Sequence, residues 1–260
     1  MKRAVSVMAA TVMAAAVVPA SAAAGDLKIG VTTTPLVAPT CPANAQGNSC
    51  TIVLDQVTAY ETLRDGVANP DTIKRSGLVS SFTLGLAGTK LITPSVMSHL
   101  DQSYGGPPEV QLTALLPTGT PVNPSFRVAA QSAVIKLRQQ LGQIAEFPLL
   151  TPLPVVRGEI LALTVPTWAP VLSIEQSTTK FSYAQSRAKS MVSTGGKRVS
   201  SCNTTGTANF AQIVVGEFSS YTCVYAGTRI EYSALEITTP SGTPSQIRRR
   251  LASSRAPGLR

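Results

Sequence analysis

Apolar and polar positions alternate along much of the chain with a period of two. Val110, Leu112, Ala114 and Leu116 alternate with Glu109, Gln111 and Thr113. Phe82, Leu84 and Leu86 alternate with Ser81, Thr83 and Gly85, and Phe126, Val128 and Ala130 repeat the pattern. Successive side chains of an extended chain point to opposite faces, so this period marks half-buried strands. Further strands are expected over 51–60, 159–165, 210–218, 221–225 and 229–238. In the last, Ile230, Tyr232 and Ala234 share one phase while Leu235 and Ile237 take the other. One extra residue near Ala234 would produce that slip, as a bulge does, or both faces are covered there.

Turn signals separate the runs at Gly105-Gly106-Pro107-Pro108, Pro117-Thr118-Gly119 and Gly195-Gly196. Many short strands punctuated by Gly and Pro predict an all-β fold, an antiparallel β-sandwich or barrel. Pro152, Pro154, Pro166 and Pro170 bar a central-strand interior at their positions. Val155-Val156-Arg157-Gly158-Glu159 reads as a turn into a strand, with Gly158 supplying positive φ or a close approach. One stretch, 132–145, differs. Val134, Leu137, Leu141 and Ile144 recur at spacings of three, four and three, a helical stripe. The same residues also fit two short strands around a turn at Leu141-Gly142, so a short helix and a hairpin both stay open.

The N-terminus carries the parts of an export signal in order. Lys2 and Arg3 form a charged start, 4–18 is uncharged and largely apolar, Pro19 breaks it, and Ala20-Ser21-Ala22 is an A-x-A site with cleavage expected after Ala22. No other segment is apolar and long enough to cross a membrane as a helix. Leu116-Pro117-Thr118-Gly119-Thr120 lacks a residue of the wall-sorting motif it approaches, and it is internal. The expected organisation is a signal over 1–22, an extended leader with a small disulfide loop over 23–49, a β-sandwich over 50–239 and a basic tail over 240–260.

All four cysteines, Cys41, Cys50, Cys202 and Cys223, lie in the exported part. An even number in an oxidising compartment implies bridges. Three pairings are possible, and proximity in sequence favours Cys41–Cys50 and Cys202–Cys223. C-x-x-C spacing is absent and only one histidine is present, so no metal and no cofactor are expected.

Charged residues make up 13% of the chain, against about 25% in a typical soluble domain, which excludes a coiled coil and a charge-rich disordered chain. The formal charge is +9. Lys2 and Arg3 fall in the signal, and Arg248, Arg249, Arg250, Arg255 and Arg260 in the tail. Taking these seven from the 22 basic residues leaves 15 against 13 acidic ones. Basic character therefore describes the tail rather than the sandwich. Anionic cell-wall polymer or glycan is the partner this balance suits in an exported protein; no aromatic interleaving points to nucleic acid.

The segment Leu153-Pro-Val-Val-Arg-Gly-Glu-Ile-Leu-Ala-Leu-Thr-Val-Pro-Thr-Trp-Ala-Pro-Val-Leu172 resembles a recurring element of uncharacterised secreted actinobacterial proteins. There a valine, basic residue, glycine and acidic residue lead into a sandwich strand. Ser76-Gly-Leu-Val-Ser-Ser-Phe82 is similar to an earlier strand entry of that group. Cys202, Tyr221-Thr-Cys-Val-Tyr225 and Tyr232-Ser-Ala resemble its C-terminal end. The resemblance covers about residues 50 to 239. It implies a jelly-roll-like sandwich of the kind found in carbohydrate-binding modules, and no particular activity. The group is helix-free, which tips 132–145 toward strands.

Catalysis needs a base, a nucleophile or a carboxylate pair. His99 is the one histidine, in Ser98-His99-Leu100-Asp101, and reads as a loop residue; no Gly-x-Ser-x-Gly elbow accompanies it. Ser177-Thr-Thr-Lys180 matches S-x-x-K without its partner motifs. Glu159, Glu217, Glu231 and Glu236 are expected on the solvated faces of strands rather than in a glycosidase pair. Asp65 and Asp71 share one loop and offer two oxygen ligands for calcium. For sugar binding, Trp168 near a strand end is the candidate platform, weighed against a core aromatic, and Tyr104 beside Gly105-Gly106 is the second candidate. The leading expectation is a secreted non-catalytic protein binding envelope polymer or carbohydrate. The alternatives are a hydrolase acting on glycans or esters and a purely structural surface protein.

Overall fold

The computed structural model describes residues 25–42, 50–194, 197–202 and 208–238. Ala22, the remaining signal residues, Gly195-Gly196 and the basic tail lie outside them. The chain opens with β1 (Asp26–Ile29) and, past the first disulfide, β2 (Leu54–Arg64), β3 (Val67–Ala68) and β4 (Gly77–Gly85). Helix α1 (Pro94–Ser103) precedes β5 (Glu109–Pro117), β6 (Ser125–Gln131) and β7 (Ile135–Lys136). Next come β8 (Ile144–Val155), β9 (Ile160–Ala169), β10 (Leu172–Ser173) and β11 (Ser182–Gln185). The last are β12 (Ser190–Thr194), β13 (Lys197–Ser201), β14 (Phe218–Ser220), β15 (Cys223–Ala226), β16 (Arg229–Ile230) and β17 (Tyr232–Thr238).

Two antiparallel sheets form an all-β sandwich. The smaller runs β1-β17-β4-β8; the larger runs β14-β6-β5-β9-β2-β11-β15, with β3 attached to β2 and β7 to β5. Between the sheets sits the main core, including Val79, Phe82, Leu84, Phe147 and Leu153 from one side and Val57, Ala59, Leu112, Leu161 and Leu163 from the other. Alternation along β2 and β9 sends Tyr60, Ile160 and Ala162 to the opposite face, where they join Leu115, Phe126, Val128, Ala184 and Tyr221 in a second cluster. Tyr60 on β2 and Phe126 on β6 are three strands apart, about 14 Å in a flat sheet. Their ring centroids are 5.3 Å apart. The large sheet therefore curls toward this face into a half-barrel. Near closure is also seen where Ser219 Oγ of β14 donates to the Ser186 carbonyl just past β11, at 3.0 Å.

The slip foreseen near Ala234 is a register shift between Leu235 and Glu236 against β4. Both disulfides join the expected partners, Cys41 to Cys50 and Cys202 to Cys223. Gly158 has φ +90 with open space around it, so positive φ is what the turn needs; Glu159 closes that turn by accepting from the Val156 N–H at 2.8 Å.

Several expectations are corrected. The 132–145 stretch is no continuous helix: β7 pairs with β5, a 3-10 turn spans Arg138–Gln140, and β8 pairs with β4. The chain changes sheets there, so the two strands do not form a hairpin with each other. Of the strand expected over 210–218, Phe210 makes a single bridge, 213–217 turn because the Glu217 carboxylate captures the N–H groups of Ile213 and Val214, and only Phe218 enters a strand, β14. Pro152 and Pro154 fall on the edge strand β8, as proline requires, but Pro166 lies inside β9. It is tolerated because β5 pairs with β9 only as far as Thr164, and opposite Pro166 β2 bulges at Gln56. The segment read as a leader is extended but belongs to the sandwich: β1 pairs with β17. Gly85 admits the passing chain, since a β-carbon there would collide with the Val37 carbonyl.

Candidate functional site

The concave face of the half-barrel opens into a cleft of about 490 Å³. Its size falls within the ~300–1,000 Å³ of small-ligand pockets. β2 presents Tyr60 and Thr62 two residues apart, hence on one face, and Ala184 on β11 is small enough to leave room beside them. Ile160 closes the wall. The β5–β6 loop supplies Gly119, Thr120, Pro121 and Ser125 along one rim, and Asn69 and Thr72 stand on the other.

The wall is aromatic. Phe126 meets Tyr60 edge-on at 5.3 Å and Tyr221 edge-on at 5.0 Å, and Tyr60 and Tyr221 are 5.7 Å apart. Such edge-to-face pairs fix ring orientation beyond simple apolar contact. On the same face a polar seam runs across the sheet. Thr164 Oγ1 lies 2.8 Å from Thr58 Oγ1 and 2.6 Å from Thr113 Oγ1, and the Tyr221 hydroxyl donates to Gln212 Oε1 at 2.5 Å. Burial, reinforced by the Asp71 charge, pushes the Tyr60 phenol up to about 12. Burial likewise raises Tyr221 well above the ordinary phenol value. Both phenols stay neutral at physiological pH. Among the described residues, none that lines the cleft is a carboxylate, lysine, arginine or histidine.

Of the two readings open for Trp168, sugar platform and core aromatic, the structure takes the core one. It is 0% exposed, packed with Ile52, Ala87 and Ile92, and its Nε1–H donates to Asp101 Oδ1 and the Gly106 carbonyl, both at 3.1 Å. The flanking prolines do mark a strand end, Trp168 being the penultimate residue of β9, but α1 covers that end. Tyr104 ends α1, half-buried against the same cluster, and its hydroxyl hydrogen-bonds Asp55. Burial raises the Asp55 carboxyl despite that bond and the nearby Arg187. The two aromatic candidates therefore share one buried cluster under α1, and neither lines the cleft.

His99 is exposed on α1, not in a loop, and the neighbouring Asp101 is committed to Arg138 (2.5 Å) and Trp168. Of the four glutamates expected on solvated faces, only Glu217 is exposed; Glu159, Glu231 and Glu236 are buried. Glu231 serves the strap formed by 30–40, accepting from the Val37 N–H at 3.1 Å, while Arg229 donates to the Thr34 and Pro35 carbonyls at 3.0 Å each. Asp65 and Asp71 do not converge on a cation. Asp65 accepts from Thr32 Oγ1 and both the N–H and Oγ1 of Thr34, and these bonds overcome partial burial to hold it well below the usual carboxylate range. Asp71 is fully buried, accepting from the Glu61 N–H at 2.8 Å and from the Tyr232 hydroxyl. Among the described residues no group of three His, Cys, Asp or Glu is placed to hold a metal ion.

The sequence reading missed the cleft. Phe126 and Tyr60 were legible as inward strand residues, but nothing local says that strands three apart curl until their rings meet. The 116–120 segment, read as a strand end, a turn signal and an incomplete sorting motif but not as part of a site, supplies the cleft rim through Pro117, Gly119 and Thr120. No protein-family model, curated protein or solved structure matches the chain.

Proposed function

We propose that the protein is an exported, non-catalytic binding module whose half-barrel cleft takes a neutral saccharide of the cell envelope. The observation that carries this reading is the lining of the cleft: aromatic and aliphatic walls beneath a rim of hydroxyl and amide groups, with no carboxylate, lysine, arginine or histidine among the described lining residues. A pyranose ring presents C–H faces to apolar surface and hydroxyls to neutral donors and acceptors, which this lining matches. Acyl or glycosyl transfer would need a nucleophile, base or carboxylate pair at the cleft. An anionic polymer would call for lysine or arginine along the lining, so the neutral glycan is favoured over the anionic one at this position. Export is supported by the Lys2-Arg3 start, the apolar run, the Ala20-Ser21-Ala22 site and the two disulfides.

Calorimetric titration of the mature protein with neutral envelope oligosaccharides tests the reading. Binding is expected, and Thr120→Trp, which fills the cleft from an exposed rim position, is expected to weaken it at least about tenfold. Equal binding by wild type and T120W would place the ligand elsewhere.

A further inference from the structure

Ahead of β14 the chain makes a tight turn whose apolar side chains face solvent. Ile213, Val214, Val215 and Phe218 are 55%, 61%, 60% and 61% exposed. Singly exposed apolar residues are ordinary, but four in one turn form a patch that needs a partner phase. The turn is preorganised. Glu217 Oε2 accepts from the N–H groups of Ile213 (3.0 Å) and Val214 (3.2 Å), and the Glu217 N–H donates to the Val214 carbonyl at 3.1 Å. The Gly216 N–H donates to the Val128 carbonyl, and the Val128 N–H to the Glu217 carbonyl, both at 2.8 Å. These backbone groups are satisfied before any partner arrives, so the tip can leave water without orphaning them.

The patch extends along the sheet. Phe218 pairs opposite Arg127, and Leu116 pairs opposite Arg127 from the other side, so the three share one face. Arg127 and Leu116 are both exposed. The result is an exposed apolar tip with a guanidinium beside it. We propose that this turn inserts into the interfacial layer of a lipid surface bearing anionic headgroups. Ile213, Val214, Val215 and Phe218 enter the acyl boundary while the long Arg127 side chain reaches the phosphates. Glu217 opposes deep insertion, which limits the contact to the interface. The five arginines of the 248–260 segment add charge of the matching sign. The inference rests on this turn alone and is independent of the cleft.

Cosedimentation of the mature chain with phosphatidylcholine vesicles, with and without phosphatidylglycerol, tests it. Wild type is expected to bind both and to prefer the anionic vesicles. Val214→Ser with Val215→Ser is expected to lower partitioning at least about tenfold, two buried side chains being lost. Arg127→Gln is expected to reduce the anionic preference and keep the remainder. A chain ending at residue 239 separates the tail's share. The inference is overturned if wild type binds neither vesicle, or if the folded double variant partitions like wild type. It is equally overturned if wild type is a dimer that the double substitution dissociates, since a second copy would then cover the tip.

Discussion

Glu236 shows how one residue departs from the rule that strand glutamates face water. It is buried beside Gly77, and neither carboxylate oxygen has a hydrogen-bond partner among the described residues. Burial pushes its carboxyl up from 4.5 to about 7. The folded state therefore favours the protonated acid. Stability from this group is full below about 4.5 and is lost as pH rises through about 7. Glu61, raised by burial to about 8 despite Arg64, and Asp71, raised by burial to about 6, act in the same direction. Wild type is thus expected to denature at lower urea concentration at slightly alkaline pH than at mildly acidic pH. Glu236→Gln is expected to remove part of that slope, on the order of 1–3 kcal/mol at the alkaline end. Parallel pH-dependent urea melts of the two proteins check this, and identical slopes would contradict it.

Among the elements, the 26–42 strap depends most on particular side chains. β1 is held by strand pairing and the far end by Cys41–Cys50, but the stretch between them rests on Asp65, Arg229 and Glu231. Asp65→Ala deletes three hydrogen bonds of 2.5 to 2.7 Å. The expected cost is about 1–3 kcal/mol. Amide exchange is expected to accelerate at Thr32, Thr33 and Thr34 and to stay unchanged at β1 and β17; unchanged exchange at 32–34 would show that the strap is held otherwise. Elements of this kind mark where sequence reading succeeds and fails. β4 and β6 were legible because one face of each is buried and the other partly wet, which imprints a period of two; β5 is buried on both faces but keeps the period because Glu109, Gln111 and Thr113 alternate with apolar residues. β9 was legible except for Pro166, whose tolerance depends on a bulge in its neighbour. Helix α1 was missed because none of its residues is fully buried and its apolar stripe is short, only Met97 and Leu100 with Tyr104 at its end packing on the Trp168 cluster, although Thr93-Pro94 is a usable start signal: the Thr93 hydroxyl accepts from the Val96 N–H at 3.4 Å. The β-branched Ile213-Val214-Val215 run imitates a strand, and only the Glu217 carboxylate shows why it turns.

At the scale of the whole molecule, the decisive property is curvature. The same alternation that builds a sandwich core on one face of the large sheet sends Tyr60, Phe126 and Tyr221 to the other, and the curl brings them together. Composition could not announce this, because the single tryptophan drew attention to a strand end that α1 covers. The cleft follows from long-range geometry: β2, β6 and β11, remote in sequence, and a rim loop with unremarkable residues. The most direct test is an amide and methyl chemical-shift map of the isotopically labelled mature protein titrated with neutral envelope oligosaccharides. The account predicts saturable shifts concentrated at Thr62, Asn69, Thr120, Ser125 and Ala184, with Tyr104 and α1 unmoved. Absence of shifts with every neutral saccharide, or shifts centred on α1, would contradict it.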